Sequence, residues 1–169
     1  MNLSLIKNWV FDLDNTLYAP EEDVFSQIDK KMTSFISKHF DINNEDAFNI
    51  QKEYFLEYGT TLAGLMNDNS NNINPDEFLE YVHDIDLKSL SPNPELKKAI
   101  NNLTGPKFIF TNGTKYHAEN VIKKLDLENV FESIFDIKSA NYIPKPNIET
   151  YNLFFKSTGI NPRTSIMFE

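Results

Sequence analysis

The feature that most constrains this chain is the stretch at residues 9–18, Trp-Val-Phe-Asp-Leu-Asp-Asn-Thr-Leu-Tyr. Trp9, Val10 and Phe11 form a short apolar run of strand-forming residues, and at Asp12 the run turns abruptly polar. A continuous apolar run of this kind suits a strand buried on both faces. Such a strand, ending in carboxylates, delivers negative charge to its C-terminal edge, which is where open α/β sheets bind ligands. Asp12 and Asp14 stand two apart, so in an extended chain they share a face. Two close carboxylates repel each other and raise one pKa. A divalent cation relieves that repulsion, and all-oxygen ligation suits Mg²⁺. A strand running into a polar turn, with an Asp capping the next helix, would account for the same residues, so the rest of the chain has to decide.

Residues 20–88 read as helices with no strand between them. Glu21, Glu22 and Asp23 suit a first helical turn, and Phe25, Ile28, Met32, Phe35 and Ile36 follow at helical spacing to about His39. A second helix is expected over residues 45–58, with Phe48, Gln51, Phe55 and Tyr58 on related faces and Gly59 after it. Residues 60–66 suit a short helix and residues 67–74 a polar loop. Asn74-Pro75 then opens a helix whose apolar face is Phe78, Leu79 and Val82.

After Leu90 the rhythm changes. Pro92 and Pro94 mark a joint, Leu96, Ala99, Ile100 and Leu103 make a helix face, and Gly105-Pro106 ends it. Residues 107–110, 134–137 and 165–168 read as short strands, and residues 116–127 and 147–158 as helices. This alternation predicts a parallel sheet with helices on both faces. The expected organisation is one α/β core, residues 1–19 and 89–169, interrupted after its first strand by a helical insertion at residues 20–88.

The formal net charge of -9 argues against nucleic acid or an anionic membrane as partner. It is compatible with a small phosphorylated substrate, because a metal and one or two lysines make a local positive site in an acidic protein. The absence of Cys removes disulfides, thiolate zinc and a Cys nucleophile, and it fits a reducing cytoplasm. The apolar run broken by Asp12 is too short and too charged for a signal peptide or a membrane span.

Asp12 and Asp14, then Thr111-Asn112-Gly113, then Lys145, and finally Glu169 all stand at or just beyond predicted strand ends. In a parallel sheet those ends lie along one edge, so these groups should converge. Each type has a task in phosphoryl transfer. A carboxylate attacks phosphorus and forms an acyl phosphate. A second acid protonates the leaving alkoxide and then activates water. A hydroxyl with backbone N–H groups cradles phosphate oxygens, and a Lys adds a compact positive charge. Lys145 lies between Pro144 and Pro146, which stiffen the segment that aims it.

These motifs resemble those of the haloacid dehalogenase-like (HAD) hydrolase superfamily, which consists mainly of phosphatases. Phe-Asp-Leu-Asp-Asn-Thr-Leu at 11–17 resembles the first family motif, Phe-Thr-Asn-Gly at 110–113 the second, Lys145 in Pro-Lys-Pro the third, and Ile-Met-Phe-Glu at 166–169 the strand into the fourth. The resemblance implies a Rossmann-like core and a helical cap. It implies Asp12 as nucleophile and Asp14 as acid/base, and a phosphate site of Thr111, Asn112 and Lys145. Mg²⁺ is implied at Asp12 and Asp14, with Glu169 as a further candidate ligand. Tyr-Gly-Thr-Thr-Leu-Ala-Gly-Leu-Met at 58–66, Val-His-Asp-Ile-Asp-Leu at 82–87 and Gln-Ile-Asp-Lys-Lys-Met at 27–32 resemble the pyrimidine 5′-nucleotidase subgroup. That implies hydrolysis of a nucleoside monophosphate such as UMP or CMP, with Phe25, Tyr54, Tyr58, Thr60 and Thr61 available to hold a base. Two alternatives stand beside it: a phosphatase or phosphomutase of a sugar phosphate or other small metabolite, and a non-catalytic binder of a phosphorylated ligand. The fourth motif normally continues with an Asp just past a residue like Glu169, so the expectation is a C-terminally truncated core that is weak or inactive in turnover.

Overall fold

The computed structural model describes residues 5–68 and 72–169. Four short parallel strands form one sheet: β1 (Asn8–Phe11), β2 (Lys107–Phe110), β3 (Ser133–Phe135) and β4 (Ser165–Phe168), in the order β3-β2-β1-β4. β1 is central and buried along its whole length. Its registers align Phe11 with Ile109 on one side and Phe11 with Phe168 on the other, while Phe110 of β2 aligns with Phe135 of β3. The residues that follow these strands therefore emerge together along one edge.

Side-chain alternation splits the sheet residues between two cores. Trp9, Phe11, Ile109 and Ile134 face one side, where α5 (Pro94–Asn101) and α6 (Lys115–Lys124) supply Ile100, Val121 and Ile122. Val10, Phe108, Phe110 and Phe135 face the other, against Phe154 of α7 (Ile148–Thr158). The expected α/β architecture, a parallel sheet covered on both faces, is what the chain adopts. β3 is shorter than expected and shifted: it ends at Phe135, because Asp136 leaves the ladder to accept the N–H groups of Lys115 and Ser139 at 2.9 Å each.

Between β1 and α5 the chain forms α1 (Val24–Phe40), α2 (Asn44–Tyr58), α3 (Thr61–Asn67) and α4 (Pro75–His83). They share a third apolar cluster that includes Ile28, Ile36, Leu65, Phe78 and Val82. The acidic residues before α1 do not form its first turn. Pro20–Glu22 is a separate 3₁₀ turn, and Asp23 breaks it from α1 with a left-handed backbone (φ 58°). Residues 69–71 of the expected polar loop lie outside the described residues.

The face of α2 also differs from expectation. Phe48 and Phe55 are exposed, whereas Ala47 and Gln51 are buried. The reason is polar: Gln51 accepts from Thr33 at 2.5 Å and donates to Asp29 at 2.7 Å, so a buried amide with both ends bonded ties α2 to α1. α2 meets α3 closely at Gly64, where a Cβ would lie 2.3 Å from Cβ of Tyr54. That contact is with the root of a side chain on a packed helix, so the helices would have to separate. Gly64→Ala is expected to destabilise the chain by about 2 kcal/mol, read as a lower urea midpoint with an unchanged denaturant slope. A midpoint equal to that of the parent would refute the close approach.

Candidate active site

The strand ends lock together through the residues just beyond them. The Asp12 N–H donates to the Phe168 carbonyl at 2.9 Å, and the Thr111 N–H donates to the Phe135 carbonyl at 3.1 Å. Asp12, Thr111 and Glu169 are thereby set side by side at the C-terminal edge. Lys145 reaches this point from the segment before α7. Its ammonium donates to Asp12 Oδ1 and to Glu169 Oε1, both at 2.9 Å, and its side chain is 4% exposed. The ammonium also lies 5.3 Å from the centroid of the Phe110 ring. A buried ammonium needs such partners to offset its lost hydration.

Asn112 lines the site and also bonds the backbone of Lys145. Its Oδ1 accepts the Lys145 N–H at 2.8 Å and its Nδ2 donates to the Lys145 carbonyl at 3.3 Å. This two-point bond to the backbone aims Lys145, in a segment whose Lys145–Pro146 peptide is cis. Thr111 is buried, and its hydroxyl oxygen accepts the Gly113 N–H at 2.9 Å. The hydroxyl proton stays free to donate to an incoming oxygen.

Asp14 is held differently. Its Oδ1 accepts from the Tyr18 hydroxyl at 2.6 Å and from His117 Nε2 at 2.8 Å. Burial would raise its pKa, but the hydrogen bond and charge of His117, with Tyr18, outweigh that and hold it below the ordinary carboxylate value. Asp12 shifts the other way. Burial raises its pKa, and the Lys145 ammonium opposes this without cancelling it. Thr16 donates to Asp12 Oδ2 at 3.1 Å.

His117 and Tyr18 are site residues that the motifs alone did not reveal. Tyr18 stands four residues beyond Asp14, at the end of the turn that follows β1. His117 is a polar residue on the otherwise apolar face of α6, beside Ala118, Val121 and Ile122. A buried histidine there was the available signal. Behind it, His83 at the end of α4 stacks on the His117 ring with centroids 4.5 Å apart, and His83 Nδ1 lies 3.3 Å from Thr114 Oγ1.

Burial lowers the His83 pKa from its ordinary 6.5 to about 3, with the neighbouring His117 adding to the effect and Asp14 opposing it. Between those values the unfolded chain binds a proton that the folded chain refuses. The stability this residue contributes is complete above 6.5 and falls as pH drops through the window. His83→Asn is expected to flatten the loss of stability between roughly pH 7 and pH 5.5 by about 1 kcal/mol, measured by urea unfolding at both. An unchanged slope would contradict the partly buried neutral imidazole.

A cavity of about 280 Å³ opens over these groups. Asp12, Asp14, Thr111 and Lys145 form its floor, and Phe25, Phe55, Thr60, Thr61 and Leu62 from the helical segment form part of its wall. Of the residues expected to face a ligand from the helices, Phe25, Thr60 and Thr61 line the cavity, with the Thr60 hydroxyl accepting the Ala63 N–H and the Thr61 hydroxyl donating to the Gln51 carbonyl. Tyr54 packs at Gly64 and bonds Asp68 at 2.9 Å, and neither Tyr54 nor Tyr58 lines the cavity. Phe55 takes that place.

The whole of residues 6–169 matches the family described as haloacid dehalogenase-like hydrolase. The chain belongs to this family. Phosphate metabolism protein 8 of Saccharomyces cerevisiae is 28% identical over 140 residues, which cover 76% of this chain. The chain spans 42% of that relative's length. Among solved structures, a HAD phosphatase from Thermococcus onnurineus superposes with a TM-score of 0.57 at 18% identity, covering 96% of this chain and 76% of that one. L-2-haloacid dehalogenase from Xanthobacter autotrophicus superposes with a TM-score of 0.53 at 17% identity, covering 96% and 69%. These likenesses show that the fold is that of the HAD core.

The family implies a Mg²⁺ ion, and the donors can be tested for it. Asp12 and Glu169 present hard carboxylate oxygens that converge on one point, the Lys145 ammonium. Asp14 has one oxygen committed to Tyr18 and His117. Among the described residues no group of three His, Cys, Asp or Glu side chains is placed to hold a metal. The point between Asp12 and Glu169 is taken by the ammonium, so the carboxylates that fit Mg²⁺ are Asp12 and Asp14, which line one cavity, and one or two carboxylates are what Mg²⁺ ordinarily takes from a protein. Among the described residues no helix is long and apolar enough to cross a membrane.

Proposed function

We propose that the chain is a Mg²⁺-dependent phosphatase that hydrolyses a nucleoside 5′-monophosphate, with a pyrimidine base, through an aspartyl-phosphate intermediate. The observation that carries this reading is the 2.9 Å contact of the Lys145 ammonium with Asp12 Oδ1, on the floor of a cavity walled by apolar and hydroxyl side chains. A phosphate drawn to Lys145 and Thr111 meets the Asp12 carboxylate. The P–O bond to Asp12 forms as the bond to the ester oxygen breaks, and Asp14 gives a proton to the departing alkoxide. In the second half, Asp14 takes a proton from water as the water displaces Asp12 from phosphorus.

The free site has the proton affinities in the opposite order to the one the first half needs, because Asp14 is lowered and Asp12 raised. A phosphate dianion raises the pKa of both carboxylates, and the Lys145 ammonium, which lowers that of Asp12, favours leaving the proton on Asp14. Asp12 and Asp14, with Glu169 as a further candidate, would hold Mg²⁺, which would screen the charge between the nucleophile and the anionic ester.

Residues 20–88 act in this reading as a cap that excludes water from the acyl phosphate, and residues 1–19 and 89–169 as the core. Phe25 and Phe55 stack on the base, and Thr60 and Thr61 hydrogen-bond its edge. The name of the yeast relative, a phosphate metabolism protein, supports phosphate chemistry. The local resemblance to the pyrimidine 5′-nucleotidases supports the base. The absence of Cys suits a cytoplasmic setting.

The test is phosphate release with Mg²⁺ across a panel of nucleoside monophosphates, sugar phosphates and other monoesters. UMP and CMP are expected to be turned over fastest. Preference for a sugar phosphate would overturn the nucleotide assignment, and no release from any ester would overturn the phosphatase reading.

A further inference from the structure

We propose that His117 and Tyr18 are positioning residues that clamp Oδ1 of Asp14, so that Oδ2 is the oxygen that exchanges the catalytic proton. The proposal rests on the phosphatase reading above. Its basis is geometric. Both donors converge on the same oxygen, the Tyr18 hydroxyl at 2.6 Å and His117 Nε2 at 2.8 Å. A carboxyl group whose one oxygen accepts two hydrogen bonds is favoured to carry its proton on the other. Intermediate rotations of the group are disfavoured, because they would break both bonds.

The clamp is itself rigidly held. The His117 side chain is 1% exposed. Its backbone N–H donates to Thr114 Oγ1 at 3.2 Å, at the start of α6. His83 covers the ring from α4 at an interplanar angle of 16°. A carboxylate oxygen can only accept, so the Tyr18 hydroxyl is the donor in this contact. Asp14 lines the same cavity as Asp12, Thr111 and Lys145. Positioning of an acid to within hydrogen-bond reach of the departing oxygen is what general acid catalysis requires.

A clamp on the acid has a signature that a merely structural residue lacks. The ester bond of a nucleoside monophosphate breaks to give an alkoxide, which must collect the Asp14 proton as it leaves. p-Nitrophenyl phosphate gives a phenolate that departs without one. In both cases kcat/KM reports the steps through transfer of the phosphoryl group to Asp12 when that transfer is irreversible. The experiment measures kcat/KM for UMP and for p-nitrophenyl phosphate with the parent chain, His117→Leu, His117→Gln and Tyr18→Phe.

His117→Leu is expected to lower kcat/KM for UMP by about 10²-fold and that for p-nitrophenyl phosphate by no more than a few-fold. Glutamine places an amide nitrogen the same number of bonds from Cα as Nε2, so His117→Gln should recover most of the loss. Tyr18→Phe keeps the ring and removes one donor, and should show a smaller loss with the same ester selectivity. If His117→Leu fails to fold, the Tyr18→Phe selectivity decides the matter. Equal losses on both esters, or no loss on UMP, would overturn the clamp while leaving the phosphatase reading intact. If the parent chain releases phosphate from neither ester, the phosphatase reading falls and the clamp falls with it.

Discussion

Asp12→Asn should lose essentially all turnover, by about 10⁴-fold or more, while the fold survives. An amide oxygen is a poor nucleophile and cannot form the acyl phosphate. The surroundings of residue 12 nevertheless suit asparagine. Its Oδ1 can accept from Lys145 in place of the carboxylate oxygen, and its NH₂ can donate to Thr16, whose hydroxyl reverses direction. Burial raises the Asp12 pKa, so the folded chain disfavours the charge above that pKa despite Lys145. Removing the charge should therefore leave stability at neutral pH within about 1 kcal/mol of the parent. Near-parental activity in a folded Asp12→Asn protein would remove Asp12 from the nucleophile's role.

Lys145→Met should damage both stability and turnover. Methionine keeps the apolar stem that packs by Phe110, so the change isolates the ammonium. Without it, the Asp12 and Glu169 carboxylates face each other with no cation between them. Loss of one partner from a buried pair costs about 3–5 kcal/mol. Because Glu169 is half exposed, the lower end, about 3 kcal/mol, is expected here. Lys145 lowers the Asp12 pKa, so its removal raises that pKa further. The raised group costs stability above its folded pKa and is relieved by protonation below it. The gap between variant and parent should consequently be widest at neutral pH and shrink on acidification. kcat/KM should fall by about 10²–10³-fold with the loss of a fixed charge at the phosphate. A gap independent of pH would show that the ammonium is not what holds the carboxylates together. The double variant with Asp12→Asn should cost less than the sum of the two single changes, since the repulsion is already gone.

The sheet was legible because each strand is a short apolar run that changes character at its end. Trp9–Val10–Phe11 giving way to Asp12, and Phe110 giving way to Thr111, mark the rim directly. The four helices between β1 and α5 were legible from their spacing and caps, Asn74-Pro75 most clearly. The orientation of α2 was not. Its aromatic residues suggested an apolar face, yet the helix buries a glutamine because Thr33 and Asp29 satisfy both ends of its amide. Periodicity counts hydrophobic residues and does not register a buried polar bond.

The candidate site shows the same division. Asp12, Thr111, Lys145 and Glu169 were expected to meet because they follow strands, and the structure brings them together at one edge. Asn112 lines the cavity as expected of a phosphate-site residue, and its side chain also secures the Lys145 backbone, which the motif did not reveal. The partners of Asp14 were hidden because His117 lies 103 residues away and depends on how α6 packs. Contacts made by packing leave a trace in the sequence only as a polar residue on an apolar face.

The central claim is that Asp12 becomes covalently phosphorylated. The direct measurement is to quench the chain during turnover of UMP with Mg²⁺, treat it with borohydride, and locate the product by peptide mass spectrometry. An acyl phosphate is reduced to an alcohol, so residue 12 should appear as homoserine in the treated sample and as aspartate in a control without substrate. Unmodified Asp12 in a sample that is releasing phosphate, or reduction at another carboxylate, would contradict the account.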